Sequence, residues 1–315
     1  MIEITLLVGY NSGGKTTAAR KLMTPSSELF RVNRDLVGGT LDGLCNHVRK
    51  AINEGNYKFL MDNTYATIES RKSIIALAKE LKAKIECIWL TTSFEDAQFN
   101  ACTRMVRKHG RALTPEEMKK TKDPNDFPPV ALFAYKKNFE KPTTEEGFDK
   151  VTKLPFERVK DPLYCNKALI LDYDDTLRKT SDGAKYPTTP EQVVILPGRK
   201  EKLVEYSKKG YLLLGVSNQS GVAKGVFTEQ AARDCFERTN ELLDIEIDYL
   251  FCPHNVPPVN CYCRKPGPMN GVLHIERYKL DASQCIFVGD ATTDATFATR
   301  CGFKYFHPDE FFDTK

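Results

Sequence analysis

Short apolar runs alternate with longer amphipathic stretches along the chain, and this alternation occurs in both halves. Short apolar runs between polar turns are typical of buried strands in parallel sheets. In the first half the pattern predicts helices over residues 15–23 and 68–81 and strands over residues 2–8, 57–61 and 85–90. In the second half it predicts strands that start at Ala168 and cover residues 211–217 and 285–289. We therefore expect an α/β chain whose parallel sheets are covered by helices on both faces.

Length and pattern together indicate two domains. The 315 residues of the chain correspond to two domains of about 150 residues each. Apolar periodicity is lost over residues 157–165, so we assign residues 1–160 to the first domain and residues 161–315 to the second. The polar, proline-containing stretch 120–129 is predicted to be a loop.

The net charge of the chain is only +4, so any attraction to nucleic acid must come from a local basic surface. One segment of about twenty residues is a candidate, and it contains Arg104, Arg107, Lys108, Arg111, Lys119, Lys120 and Lys122. A solvated helix face is the alternative explanation for this segment.

Other features of the sequence concern the location of the protein. No apolar run approaches the roughly 20 residues that cross a bilayer. The apolar N-terminal run continues into a glycine-rich loop, so we expect a strand there and not a signal peptide. Ten cysteines in 315 residues are too few for a disulfide scaffold. These features predict an intracellular protein, cytoplasmic or nuclear, with no membrane partner.

A glycine-rich loop lies between the first predicted strand and the first predicted helix. It reads GYNSGGKT and fits the pattern G-x-x-x-x-G-K-[ST]. The backbone N–H groups of such a loop and the N-terminus of the following helix attract phosphate. Lys15 would neutralise the β- and γ-phosphates, and the Thr16 hydroxyl would ligate Mg²⁺. The loop predicts a site for ATP or GTP, formed by Gly9, Asn11, Ser12, Gly13, Gly14, Lys15 and Thr16.

Polar residues follow the second and third predicted strands, where open α/β sheets bind their ligands. Asp35 would accept a proton from an attacking hydroxyl group, although a helix cap is an equally good explanation for it. A pocket for the phosphate acceptor is assigned to Arg34, Asp62, Asn63, Thr64 and Arg71. A lid arginine would stabilise the transferring phosphoryl group. Arg104 is the first choice for this role, with Arg107 and Arg111 as alternatives.

The second half contains two aspartates directly after a predicted strand, in the sequence DYDDT. Asp172 is the predicted nucleophile toward phosphorus, and Asp174 would protonate the leaving oxygen. Ser217 follows the next strand and would bind the phosphate, while Lys265 would supply positive charge. Asp290 would hold Mg²⁺ together with the Asp172 side chain and the Asp174 backbone carbonyl. A structural cation site is the alternative for the clustered aspartates.

Three cysteines and one histidine lie close together in the sequence, at Cys252, His254, Cys261 and Cys263. Three thiolates and one imidazole suit a closed tetrahedral zinc site, which would be structural because it leaves no open position. It would hold the loop that carries Lys265. Chance clustering or a disulfide is the alternative.

The first half resembles the kinase domain of the polynucleotide 5′-kinase/3′-phosphatase family. The resemblance lies in VGYNSGGKTT, VNRD, DNT followed by SR, and the block Phe133–Phe156. It implies transfer of the ATP γ-phosphate to a 5′-hydroxyl of DNA or RNA, with Asp35 as the general base. One difference is that Val37-Gly38-Gly39 stands where phage-type members have an arginine.

The second half resembles the haloacid-dehalogenase (HAD) phosphatases, on the motifs DYDDT, SNQS, CRKPGP and GD. The segments around its cysteine loop are similar to histidinol-phosphate and heptose-bisphosphate phosphatases, whereas IFVGDATTD through HPDEFF fits the polynucleotide type. The expected fold is thus a P-loop kinase with a parallel sheet, followed by a HAD-type Rossmannoid phosphatase.

The leading hypothesis is an enzyme that phosphorylates 5′-OH ends and removes 3′-phosphates from nucleic acid, leaving ends for a downstream ligase. Its cofactors would be ATP, Mg²⁺ and structural Zn²⁺. A sugar kinase fused to a sugar-phosphate phosphatase is the second hypothesis, and a nucleic-acid scaffold with decayed sites is the third. The presence of Lys15, Asp35, Asp172 and Asp174 disfavours the scaffold.

Overall fold

The computed structural model describes residues 1–24, 26–255 and 261–312. The chain divides into two compact units, one formed by residues 1–101 and 121–158 and the other by residues 102–120 together with the chain from Val159 onward. The sequence assigned residues 102–120 to the first domain, whereas here they group with the second unit. No described helix is long and apolar enough to cross a membrane.

The first unit is built on a five-stranded sheet in the order β2-β3-β1-β4-β5, in which every pair of neighbours is parallel. The predicted strands of the first half are confirmed, with β3 and β4 shifted by a residue or less at each end. The strands are β1 Glu3–Val8, β2 Leu29–Val32, β3 Lys58–Asp62, β4 Lys84–Leu90 and β5 Lys150–Leu154.

Helices cover both faces of this sheet. Side chains of β1 alternate between the faces, so Leu7 packs against Ala18 and Ala19 of α1 while Leu6 joins the larger core beneath α3 and α4. The predicted loop after residue 120 is confirmed, because no helix or strand is assigned between α6 and α7. The helices of this unit are α1 Lys15–Leu22, α2 Arg34–Val37, α3 Leu44–Asn53, α4 Ile68–Glu80, the first half of α5 Phe94–His109, and α7 Val130–Asn138, whereas the rest of α5 and α6 Pro115–Lys120 group with the second unit.

A buried arginine lies at the start of α4. Arg71 is fully buried, and its guanidinium donates to both carboxylate oxygens of Glu146 at 2.7 and 2.9 Å. It also donates to the carbonyls of Tyr65 and Glu140 at 2.9 and 3.0 Å. A bidentate pair with further hydrogen bonds satisfies a charge that would be very unfavourable alone in the interior. Arg71 therefore ties α4 to the chain segment that leads into β5.

The second unit contains a separate five-stranded sheet in the order β10-β9-β6-β11-β12, again parallel throughout. The three strands predicted in this half, β6, β9 and β11, are confirmed as its centre. A two-stranded antiparallel ribbon, β7-β8, lies outside it. The strands are β6 Ala168–Leu171, β7 Arg178–Thr180, β8 Val193–Ile195, β9 Leu212–Asn218, β10 Asp248–Cys252, β11 Ile286–Val288 and β12 Lys304–Phe306.

The core of the second unit is rich in aromatic rings. Tyr173 packs edge-on against Phe236 of α9, at 4.5 Å between ring centroids. The ring of Tyr173 lies over Gly215, where an added Cβ would come within 2.5 Å of the tyrosine Cε2. The sheet can hold so large a ring here only because β9 has no side chain at that position. The helices are α8 Arg199–Lys208, α9 Glu229–Leu243, α10 Met269–Tyr278, α11 Thr292–Cys301 and α12 Pro308–Phe311.

We predict that replacing Arg71 with Met destabilises the first unit by about 3–5 kcal/mol, because the substitution leaves the Glu146 carboxylate buried without its partner. Trp89 is the only tryptophan of the chain and lies in β4, so its fluorescence during urea unfolding reports on this unit. The matched control is Lys72→Met, which breaks an exposed pair with Glu69 and should leave the midpoint nearly unchanged. Equal shifts for the two variants would contradict a special role for Arg71.

Candidate active sites

The glycine-rich loop joins the carboxyl end of β1 to the N-terminus of α1. Gly14 has a φ of +91°, a left-handed conformation that favours glycine. A Cβ at Gly13 would lie 2.8 Å from the Tyr10 carbonyl oxygen, so the tight loop also needs glycine there. Lys15 Nζ donates to the carbonyl oxygens of Gly9 and Tyr10 at 3.0 and 2.7 Å. The lysine therefore already lies within the loop, at the positive end of the helix dipole.

Side chains from three other segments fix the loop. Thr92 Oγ1 donates to the Gly13 carbonyl at 2.6 Å, and Asn100 Nδ2 donates to the Ser12 carbonyl at 3.0 Å. Thr64 Oγ1 donates to Asn11 Oδ1 at 3.0 Å. These three bonds are accepted by side-chain or carbonyl oxygens, and the Gly13 N–H closes a turn within the loop by donating to the Tyr10 carbonyl at 2.9 Å. The loop is thus rigidly held in a form that can bind phosphate.

The ends of β2 and β3 are joined by side-chain amides. Asn33 Nδ2 donates to the Asp62 carbonyl at 2.5 Å, and Asn63 Nδ2 donates to the Val32 carbonyl at 3.3 Å. The backbone N–H of Arg34 in turn donates to Asn63 Oδ1 at 2.9 Å. This exchange explains the polar cluster predicted at the two strand ends. Its amides position the backbone of the neighbouring residues and are largely buried themselves.

The residues predicted to bind the acceptor are in different environments. Asp35 and Arg34 are exposed at the start of α2, and the Asp35 N–H donates to the Asn33 side chain at 2.8 Å. Asp62 is only 1% exposed and accepts two hydrogen bonds from Arg31. Arg71, bound to Glu146, has no exposed surface with which to reach a ligand. The structure therefore leaves Asp35, Arg34 and Thr64 at the sheet edge, and it does not bring Arg71 to them.

Arg104, the predicted lid arginine, belongs by its contacts to the second unit. It lies near Tyr262, whose pKa is raised by burial and lowered to a smaller extent by Arg104. Two of the neighbouring basic residues are paired within the same unit. Arg107 binds Glu276 at 2.9 Å, and Arg111 binds Glu117 at 2.6 Å. Arg107 and Arg111 are thus partly neutralised by carboxylates of the same unit.

In the second unit a buried lysine lies between two aspartates. Lys265 Nζ is 2.8 Å from Asp172 Oδ1 and 2.8 Å from Asp294 Oδ1. Asp172 directly follows β6 and Asp294 lies in the first turn of α11, after β11. Asp294 was not among the site residues predicted from the sequence. Its position, 1% exposed beside Lys265, makes it part of the site.

An amide clamp holds the lysine in place. The side chain of Asn218, the last residue of β9, accepts a hydrogen bond from the backbone N–H of Lys265 at 2.8 Å and donates one to its backbone carbonyl at 3.1 Å. The neighbouring Ser217 is buried, and its hydroxyl accepts from Gln219 Nε2 at 3.0 Å. The same Gln219 nitrogen donates to Asp174 Oδ2 at 2.9 Å. Asp172, Asp174, Ser217 and Lys265 are thus brought together as predicted, and Gln219 is an additional member.

Burial and charge act against each other on the nucleophile candidate. Burial raises the pKa of Asp172 to about 7, an effect that Lys265 opposes and that the carboxylates of Asp294 and Asp174 increase. For Lys265 burial alone would lower the pKa, but facing Asp172 and Asp294 raises it overall. An ionised Asp172 in this site therefore depends on nearby positive charge.

Three carboxylates of the second unit form a candidate set of metal ligands. The oxygens of Asp172, Asp290 and Asp294 lie within 4.8 Å of one another, and burial next to Asp294 raises the pKa of Asp290. Together with nearby Asp174, these carboxylates carry more negative charge than the single positive charge of Lys265 offsets. Hard oxygen ligands with excess negative charge are suited to Mg²⁺.

The predicted cysteine and histidine ligands also converge. The Sγ atoms of Cys252, Cys261 and Cys263 and the Nδ1 atom of His254 all lie within 4.8 Å of one another. Cys252 Sγ is 3.8 Å from Cys261 Sγ and 3.3 Å from Cys263 Sγ, and Cys263 Sγ is 3.2 Å from His254 Nδ1. A tetrahedron with metal–sulfur bonds of about 2.3 Å has edges of about 3.8 Å; the first distance equals this edge and the other two are shorter by about half an ångström. The donor set and its geometry fit a tetrahedral metal.

The fold and this site define the second unit as an α/β phosphatase domain, with paired aspartates, a serine and a lysine at the carboxyl ends of parallel strands. Residues 167–312 match the family model described as "Polynucleotide kinase 3 phosphatase", and this part of the chain belongs to that family. The family predicted from the sequence is therefore confirmed for this domain.

Individual relatives extend this comparison. The "bifunctional polynucleotide phosphatase/kinase" of Schizosaccharomyces pombe is 35% identical over 162 residues, which are 50% of this chain and 35% of that protein. The "probable D-glycero-D-manno-heptose-1,7-bisphosphate 7-phosphatase" of Thermoplasma volcanium is 36% identical over 42% of this chain and 92% of its own length. The chain thus matches little more than a third of the yeast relative but nearly all of the archaeal one.

Among solved structures, the one described as "Structure of Pnkp1/Rnl/Hen1 complex" aligns with 97% of this chain and 96% of its own. The sequence identity is 18% and the TM-score is 0.35.

We predict that Lys265→Met destabilises the magnesium-free protein increasingly as the pH rises from 5.5 to 8. Without the lysine, the pKa of Asp172 rises further above its unfolded value of about 3.9. The folded variant then retains a proton that the unfolded chain releases, so its stability is lost as the pH increases. Thermal unfolding of variant and parent across this range measures the effect.

Lys200→Met is the matched control, because it removes an exposed lysine paired with Asp244 in the same unit. Its small effect on the unfolding temperature should be the same at every pH. A pH-independent difference between Lys265→Met and the parent would contradict the electrostatic explanation.

Proposed function

We propose that the chain is a bifunctional end-healing enzyme, which transfers the ATP γ-phosphate to 5′-OH ends of DNA or RNA and hydrolyses 3′-phosphate ends. The observation that carries the proposal is the presence of two separate phosphate sites, one in each unit. The domain family and the bifunctional yeast relative support the same pairing. Opposite phosphate reactions are useful together when they act on the two sides of one break.

In the kinase reaction the N–H groups of the loop from Gly9 to Thr16 bind the phosphates, and Lys15 neutralises their charge. Lys15 then exchanges its hydrogen bonds with the Gly9 and Tyr10 carbonyls for the phosphate oxygens. Asp35 accepts the proton of the 5′-hydroxyl as that oxygen attacks the γ-phosphorus, and the bond from the γ-phosphorus to ADP breaks. Its exposure at the carboxyl end of β2 makes it accessible to a large acceptor. Arg34 and Thr64 line the same edge.

In the phosphatase reaction the Asp172 carboxylate attacks phosphorus, and the bond to the 3′-oxygen breaks. Asp174 donates its proton to that oxygen, which leaves an aspartyl phosphate and an ionised Asp174. Asp174 then removes a proton from water, and the resulting hydroxide displaces Asp172 from phosphorus. Ser217 and Lys265 bind the phosphoryl oxygens throughout.

Magnesium is the cation that fits the carboxylate set, and Asp172, Asp290 and the Asp174 backbone carbonyl would hold it. Asp294 contributes a further carboxylate to this set. When bound, the ion supplies positive charge that keeps Asp172 ionised and offsets the charge of the phosphate. In the kinase site Thr16 would hold the ion that accompanies ATP.

Zinc is the metal that best fits Cys252, His254, Cys261 and Cys263. All four positions of a tetrahedron would be occupied by protein ligands, so the site is structural and not catalytic. The loop that it closes carries Lys265, two residues after Cys263. The metal would thus contribute to phosphatase activity by fixing the lysine.

A second candidate function for the phosphatase unit is hydrolysis of a sugar phosphate. The specific observation in its favour is the relation to heptose bisphosphate phosphatases, one of which is covered over 92% of its length. The first candidate is preferred because the phosphatase shares its chain with a kinase-type loop. A nucleic-acid substrate would also place the products in the path of a ligase.

We expect the protein, with Mg²⁺ and ATP, to change both ends of an oligonucleotide that carries a 5′-OH and a 3′-phosphate. Lys15→Ala should abolish only the 5′ phosphorylation, because it removes the charge that binds the ATP phosphates. Asp172→Asn should abolish only the removal of the 3′-phosphate, because an amide cannot attack phosphorus. Mass spectrometry of the oligonucleotide follows both ends in one reaction.

Each variant is the control for the other, since either one leaves the opposite site intact. Hydrolysis of heptose bisphosphate with no change at either oligonucleotide end would favour the second candidate. Loss of both activities in either variant would contradict two independent sites.

We also expect the purified protein to contain about one equivalent of zinc, bound by the four-ligand set. Cys263→Ser should lose most of this zinc and unfold at a lower temperature, whereas the control Cys165→Ser, an exposed cysteine outside the set, should retain it. Elemental mass spectrometry measures the content. Equal zinc in the two variants would contradict the assignment.

A further inference from the structure

A fully buried arginine contacts the proposed general acid of the phosphatase. Arg178 begins β7 and is 1% exposed, and its Nε donates to Asp174 Oδ1 at 2.9 Å. Its Nη1 donates to the Cys235 carbonyl at 2.6 Å and to Thr239 Oγ1 at 2.9 Å, both on α9. The guanidinium also lies against the rings of Tyr173 and Phe236. The side chain is therefore fixed on every side, and among the residues that the structure describes its one charged partner is Asp174.

The second oxygen of Asp174 is held separately. Gln219 Nε2 donates to Oδ2 at 2.9 Å, and Gln219 is itself 3% exposed. Both carboxylate oxygens thus have a buried donor, while the Asp174 side chain keeps 20% of its surface exposed. The two hydrogen bonds fix the plane of the Asp174 carboxyl group, and one side of the group stays exposed.

We propose that Arg178 is a positioning residue that holds Asp174 in the orientation for proton donation to the leaving oxygen. The proposal rests on the phosphatase function proposed above. A protonated Oδ2 still has a lone pair that accepts from Gln219, so both hydrogen bonds persist when the proton is present. When the proton moves to the leaving oxygen, Asp174 becomes a carboxylate beside an arginine that is always charged.

An anchoring role is the competing explanation, because Arg178 also ties β7 to α9. The two roles differ in their dependence on the leaving group. An alkoxide needs protonation as it leaves, whereas p-nitrophenolate leaves without help. Loss of positioning therefore slows hydrolysis of alkyl phosphates selectively, and loss of anchoring slows all esters equally.

The experiment compares Arg178→Met with the parent on two kinds of substrate. The probes are p-nitrophenyl phosphate and two alkyl phosphates, an oligonucleotide 3′-phosphate and β-glycerol phosphate. We expect kcat/KM on the alkyl phosphates, which reports the step in which the leaving oxygen departs, to fall by roughly 10²-fold, the usual contribution of a general acid, and kcat/KM on the aryl ester to fall less than about threefold. Asp174→Asn should show the same selectivity. The double variant Arg178→Met/Asp174→Asn should be no slower than Asp174→Asn alone, because the arginine acts through that group.

Thr239→Val is the matched control, since it removes one anchoring partner of Arg178 without touching Asp174. It should lower stability without changing the ratio of the two rates. If Arg178→Met does not fold, Arg178→Lys retains the charge and a single donor, and it should show a smaller but still selective loss on alkyl esters.

Equal losses on aryl and alkyl esters, or no loss at all, would overturn the proposal. Failure of the proposed function is a distinct outcome. If the parent hydrolyses β-glycerol phosphate but not the oligonucleotide, the substrate assignment is wrong. The role of Arg178 is then tested by comparing p-nitrophenyl phosphate with β-glycerol phosphate. If the parent hydrolyses no phosphate ester, both proposals fall.

Discussion

Both sheets consist entirely of parallel strands, and the candidate chemistry of the chain depends on this constraint. Parallel strands end at one edge, so residues far apart in the sequence meet there. In the first unit that edge carries the glycine-rich loop after β1 and the polar ends of β2 and β3. In the second unit it carries Asp172 after β6, Ser217 at the end of β9 and Asp290 after β11. One arrangement of strands thus serves both proposed reactions, and the difference lies in the side chains.

Much of this was accessible from the sequence because apolar runs and strand-end motifs are local features. The central strands of both sheets and the residues around Asp172 and Lys265 follow from such patterns. The edge strand β5 was not predicted, because its residues KVTKL are largely exposed and contain no apolar run. Strands β7, β8 and β12 were also not predicted, and β7, with the sequence RKT, contains no apolar residue.

The remaining features depend on partners that are distant in the sequence. Arg71 was assigned to a ligand pocket because it follows a polar cluster, but its charge is used by Glu146, 75 residues away. Asn218 and Lys265 hold each other across 47 residues. No local pattern reveals such pairs, since an arginine or asparagine has the same appearance in the sequence whether it binds a ligand or the protein itself. The convergence of the cysteine ligands was predictable because their spacing is short.

The tyrosine between the two candidate catalytic aspartates has a consequence for the evolution of the domain. Tyr173, which follows β6, occupies the space that a side chain at Gly215 of β9 would need. A mutation at position 215 is therefore tolerated only after the ring at position 173 has been replaced by something smaller. The two positions should change together among homologous chains, in that order. The tyrosine that lies between the aspartates would then constrain the residue at position 215, which takes no part in the proposed reaction.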